Sequence, residues 1–210
     1  MMTRLASAFL ALLISSNAAI ARDFAKPPVP DAETHISLPL PMVDRAELAK
    51  ALAARRDHNI AAFHAYRLGG VYPHNEVRPG PLNVWRDDDG HLCAAATMID
   101  MDGKHELVQT VAETNDYLRL LDVTAGPLLD WTMTSGLTIE EVDRIQAPMV
   151  MPNPREQDPQ WQAKEDAKLA KGYAETDTWL GTHRAAGLSA AVDRLMAYPF
   201  LAKKLIEGKI

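Results

Sequence analysis

In the stretch LNVWRDDDGHLCAAATMI, residues Leu82 to Ile99, apolar residues flank a turn signal on both sides, with helical patterns before and after it. Asp89-Gly90 supplies the positive φ angles of a tight turn, because glycine has no Cβ to clash and aspartate tolerates the left-handed region. The stretch therefore predicts a β-hairpin. A two-residue loop at Asp89-Gly90 pairs Arg86 with Cys93, and a four-residue loop from Asp87 to Gly90 pairs Val84 with Cys93. Both registers leave Cys93 on the face of Leu82 and Val84, and Leu92 on the face of Trp85.

Helical readings surround the hairpin. Asp44 is placed as an N-cap with Glu47 three residues on, Val43 and Leu48 form a staple, and Gly69-Gly70 closes the first helix. Leu48, Leu52, Ile60, Phe63 and Tyr66 fall near one face, and Arg56 near that stripe must either snorkel or meet a buried acid. Asp102-Gly103 makes a second turn, and Lys104 to Thr114 reads as helix, with a strand as the alternative. Asp116 to Val123 reads as a short helix, and Pro127 and Gly136 bracket another. Thr138 with Glu141 repeats the capping box, and Leu137 with Val142 the staple. Toward the C-terminus, a helix opens at Asp158-Pro159 and carries Trp161, Leu169, Tyr173, Thr176 and Leu180. Two more follow, from about Ser189 to Tyr198 and from Pro199 to Gly208. The expected fold is a predominantly helical α+β domain with a small antiparallel sheet centred on the hairpin at residues 82–99.

The N-terminus carries an address. Arg4 gives a positive start, Leu5 to Ile14 is almost wholly apolar, and Ala19-Ile20-Ala21 offers the small residues that signal peptidase requires. Residues 1–21 therefore read as a signal peptide. The organisation after it is a proline-rich extended arm at 22–43, an α+β body at 44–147, a proline-rich linker at 148–159, and a C-terminal helical region at 160–210 packed on the body as one globular unit. No later run is long and apolar enough to span a bilayer, so the mature chain is expected to be soluble and without stable membrane insertion.

The 22 basic and 28 acidic residues leave a net charge of −6, and an acidic surface repels nucleic acid and anionic lipid. Cys93 is the only cysteine, so no intramolecular disulfide forms, and there is no N-x-S/T acceptor. With the leader, these features point to a bacterial protein in the periplasm or the medium.

Motifs for several chemistries are missing: no Walker loop, no G-x-G-x-x-G, no H-E-x-x-H, no C-x-x-C and no G-x-S-x-G. Ser135 sits in a TSG turn before a capped helix, which is ordinary turn chemistry. Aligning Gly90 or Gly103 with the glycine of an EF-hand loop leaves the essential carboxylate positions to Trp85, Ala96, Met98 and Gln109, so calcium is not expected. His58 and His64 leave a helix by different faces, and Asp57 and His64 stand two turns apart, so neither pair suits zinc. No cofactor and no metal are expected; whether His74, His91 and His105 converge depends on the tertiary fold.

Three residues remain as catalytic candidates. Cys93 is near His91 in sequence, although residues i and i+2 on a strand stand about 7 Å apart, too far for direct proton transfer. Asp130 beside Trp131 has the setting in which an aromatic wall raises a carboxyl pKa. Asp116, Asp122, Glu140 and Glu141 read instead as caps or as acids placed favourably at helix starts. Trp85, Trp131, Trp161 and Trp179 read as core rather than as a stacking platform. These residues favour a non-enzymatic exported protein that binds an unknown protein or small molecule, or contributes structurally to the envelope. The alternative is a carboxylate-dependent hydrolase of glycans or another envelope substrate, with Asp130 as its acid.

Overall fold

The computed structural model describes residues 39–155 and 159–210. The leader read at 1–21 and residues 22–38 of the arm read at 22–43 lie outside these residues, as does Asp158. Among the described residues the chain forms eight α-helices, one short 3-10 turn and one two-stranded antiparallel sheet, a predominantly helical α+β fold.

Helix α1, Arg45–Gly69, is the spine. Asp44 Oδ1 accepts from the amides of Ala46 (2.7 Å) and Glu47 (3.1 Å), and Gly70 closes the C-terminus at φ 63°. Strand β1, Gly80–Leu82, follows a proline-rich loop. Helix α2 is Ala94–Met101, α3 is His105–Thr114, α4 is Pro127–Thr134 and α5 is Ile139–Ile145. Strand β2, Met149–Met151, pairs with β1 in the register Gly80↔Met151, Pro81↔Val150, Leu82↔Met149. Helices α6, Trp161–Thr182, α7, Arg184–Met196, and α8, Pro199–Ile206, complete the chain.

The sheet is therefore not centred on a hairpin at residues 82–99. Its two strands come from Gly80–Leu82 and Met149–Met151, the second within the stretch read as a proline-rich linker. The turn itself forms, closed by a single bridge between Arg86 and Leu92, which lies between the two registers considered. Gly90 at φ 86° ends a three-residue loop, its amide bonded to Asp87 O at 3.0 Å. Alanine is a strong helix former and a poor strand former, so beyond Leu92 the run Ala94-Ala95-Ala96 becomes α2 instead of a second strand. Cys93 is its N-cap, with Sγ accepting from the Ala96 amide at 3.4 Å.

Smaller differences have local causes. The helix expected over Asp116 to Val123 shrinks to a 3-10 turn at Leu120–Asp122, because Gln146 intercepts its backbone. The amide of Leu120 donates to Gln146 Oε1, and Gln146 Nε2 donates to Leu118 O, each at 2.8 Å. Helix α7 starts at Arg184, earlier than the expected Ser189.

Two apolar clusters pack along α1. Ala62 and Phe63 join the larger one, with Trp85, α2, Trp131, Leu137, Tyr173 and Leu180. Leu48 and Leu52 join the smaller one, with Met133, Ala191, Val192, Leu195, Ala202 and Leu205. Between them on the same stripe of α1 stand Arg56 and Asn59, both buried.

Candidate functional site

Arg56 meets a buried acid. Its guanidinium forms a two-pronged pair with Glu141, both bonds at 2.6 Å, and neither side chain reaches solvent. Glu141 is also the reciprocal member of the α5 capping box: Oε2 accepts from the Thr138 amide at 2.7 Å while Thr138 Oγ1 accepts from the Glu141 amide at 3.1 Å. The adjoining link from α4 to α5 is buried and held by cations and amides. Arg56 donates to Gly136 O at 3.0 Å, Asn59 to Ser135 O at 2.9 Å, and Arg194 to Leu137 O at 2.8 Å. Ser135 Oγ donates to Thr132 O and accepts from the Leu137 amide, which fixes it as a turn residue.

The pattern extends through the interior. Of the ten buried polar or charged residues among those described, nine bond a backbone atom: Arg56, Asn59, Asn75, Thr132, Thr134, Ser135, Glu141, Gln146 and Glu165. Asn75 ties together the loop entering β1 through Arg78 O and Gly80 O. Glu165 accepts from the Val150 amide at 2.9 Å, closing an edge of β2 that would otherwise offer an unpaired donor.

No hydrogen bond or ion pair joins the three catalytic candidates to one another. Asp130 is exposed in the first turn of α4. Cys93 is buried in the main core, and burial pushes its thiol up to about 12, which keeps it protonated at neutral pH. His91 Nδ1 lies 3.0 Å from Asp87 Oδ2, and the same carboxylate accepts from the backbone amides of His91 and His74. His74, His91 and His105 each have their own carboxylate, Asp166, Asp87 and Asp100, so they do not share one centre through these contacts. Among the described residues no group of three or more His, Cys, Asp or Glu is arranged to hold a metal ion.

The carboxylate that does meet a tryptophan is Asp102. Its side chain is 1% exposed and accepts from Trp131 Nε1 at 2.6 Å and from both terminal nitrogens of Arg55, while His58 Nε2 lies 3.0 Å away. His58 is half exposed, with its Nε2 edge turned toward the carboxylate. Arg55 and His58 are three apart on α1 and so share a face, which was visible in the sequence; nothing there placed Asp102 against them. Three donors from α1 and α4 converge on its two oxygens with His58 beside them, which suits anchoring the α2 terminus to α1 and α4.

Asp116 lines a shallow recess with Asp87, Asp88, Asp89 and Arg86. Burial, with the charges of Asp88 and Asp87 behind it, raises its carboxyl above the usual range, against the bond it accepts from the Arg86 amide at 3.0 Å. In the core, Phe63, Tyr66, Tyr72 and Tyr173 pack ring against ring at centroid separations of 5.3 to 5.7 Å, and burial raises the Tyr66 and Tyr173 hydroxyls.

A recess of about 430 Å³ runs between α6 and the segment joining α5 to β2. Ala147, Pro148, Val150, Leu169 and Tyr173 supply apolar lining, and Arg144, Lys168, Lys171, Glu165 and Glu175 supply charge. Gly172 lines it with nothing within 4 Å of where a Cβ would stand. Glycine inside a helix costs about 0.5–1 kcal/mol relative to alanine, and here it leaves the wall of the recess without a side chain. At its rim Arg144 stands 4.4 Å over the Trp179 ring, and His183 stacks on that ring at 4.2 Å. Trp179 is half-buried and is packed by these two side chains of the protein itself.

No protein-family model, no curated protein and no solved structure matches this chain.

Proposed function

We propose that this is an exported, non-enzymatic protein that binds a ligand or partner, with the recess beside α6 as the place of contact. The observation that carries the reading is the commitment of buried polar side chains to backbone atoms, beside which Asp130 is exposed, His91 is paired with Asp87 and Cys93 is buried in the core. The recess combines apolar lining with charges of both signs, the mix that orients a bound group while excluding water from its centre. Its two carboxylates, Glu165 and Glu175, are ten residues apart on one helix, about 15 Å along the axis. Glycoside hydrolysis needs carboxyls at about 5 to 9.5 Å, so this pair suits recognition better than bond cleavage. Export rests on the N-terminal charge, apolar run and Ala19-Ile20-Ala21.

One observation favours the rival hydrolase: the raised carboxyl of Asp116 beside other acids, an arrangement from which a general acid can be made. The test incubates mature wild-type protein, Asp116→Asn and Asp130→Asn with envelope glycans, and follows new reducing ends and retention of protein on the glycan or on envelope proteins. Binding predicts no turnover above the blank and saturable retention reduced by Gly172→Arg. Turnover that falls by about a hundredfold or more in either carboxylate variant would establish the hydrolase instead.

A further inference from the structure

We infer that α7 and α8 form a cap that opens as one unit while the rest of the described fold stays closed. The inference follows from where the two apolar clusters divide. The buried side chains that α7 and α8 contribute to apolar packing fall in the smaller cluster, against Leu48 and Leu52 of α1 and Met133 of α4. That cluster is set apart from the main core by the polar belt of α1, in which Arg56 and Asn59 separate Leu52 from Ala62 and Phe63. Over the belt, α7 places Gly187, whose missing side chain matters: a Cβ there would stand 2.4 Å from Glu141 Oε1 and 2.8 Å from Arg56 Nη2.

The remaining attachments are polar: two ion pairs at the margins, and Arg194 on the α4–α5 link. Arg45 pairs with Asp193 and Arg184 with Asp57, both in largely exposed pairs, which add little in water. Arg194 reaches the carbonyls of Thr132 and Leu137, and burial lowers its pKa. Opening therefore breaks one small apolar cluster and a set of hydrogen bonds that water can replace, and it leaves the main core intact. Elements attached in this way are drawn from the low-stability end of a fold. The opened state uncovers Leu48, Leu52 and Met133 beside the Arg56–Glu141 pair, a surface of apolar groups next to charge that the closed protein hides.

Native-state hydrogen exchange on the full mature chain, at several low urea concentrations, tests the cap. Amides of α7 and α8 are expected to exchange together, roughly tenfold or more faster than those of α2 and the second half of α1, with a shared urea dependence smaller than that of global unfolding. Gly187→Ala is expected to speed the α7 and α8 amides more than the α2 amides, since its Cβ meets the belt from the α7 side. Equal protection in all these helices, exchange in α7 and α8 without any shared urea dependence, or equal acceleration of α2 by Gly187→Ala would each overturn the inference. If Gly187→Ala does not fold, the urea series on the wild-type protein decides.

Discussion

Arg56 shows how much one side chain can be asked to do in this interior. It donates to both oxygens of Glu141 and to the carbonyl of Gly136, so a single guanidinium joins α1 to the α4–α5 link and, through Glu141, to the N-terminus of α5. Removing one partner of such a pair strands the other charge, whereas removing both restores an apolar contact. Arg56→Met alone is therefore expected to cost about 3–5 kcal/mol in urea unfolding. Arg56→Met with Glu141→Leu is expected to recover part of that loss, less the capping bond that Glu141 also makes. A double variant that loses the sum of the two singles would deny the coupling. Cys93 gives a second check at this scale. Buried as the cap of α2, with its thiol pushed up to about 12, it should react with a soluble thiol reagent only as fast as the fold opens, and rapid labelling would place it at the surface.

At the scale of elements, the close approach of α1 to the α4–α5 link depends on Gly136. Its φ is 77°, and a Cβ would stand 2.4 Å from Leu52 O and 2.7 Å from the Arg56 amide nitrogen, both backbone atoms that have nowhere to move. Gly90 also has a positive φ, but open space surrounds it. Gly136→Ala should therefore lower the melting temperature by more than Gly90→Ala, whose cost is the backbone conformation alone, about 1–2 kcal/mol. Equal shifts would mean that α1 and the link are not in backbone contact. What was legible in the sequence follows the same division between local and distant causes. The starts of α1 and α5 were visible because a cap and its partner lie within four residues, and a buried acid was one of the two alternatives, beside snorkelling, that an arginine on an apolar stripe leaves. The second strand of a hairpin was read where Cys93 and three alanines begin a helix. Strands of three residues, such as β1 and β2, carry no period long enough to read. Their pairing across most of the body, like the meeting of Asp102 with Arg55, His58 and Trp131, exists only once the chain has folded.

Across the described residues, one economy recurs: most buried polar side chains bond the backbone, and two apolar clusters fill the space on either side of the Arg56–Asn59 belt. A side chain retained for a reaction or a ligand often costs stability, so replacing it by an apolar residue of similar size can strengthen the fold. A side chain that satisfies buried backbone groups behaves in the opposite way, because its removal leaves those groups unpaired at about 1–3 kcal/mol each. Equilibrium urea unfolding of Asn59→Leu, Asn75→Leu and Gln146→Met separates the two cases directly. Each substitution is predicted to destabilise by about 1–3 kcal/mol with an unchanged urea dependence; a variant among them that matches or exceeds the stability of the wild-type protein would contradict the backbone role assigned to these residues.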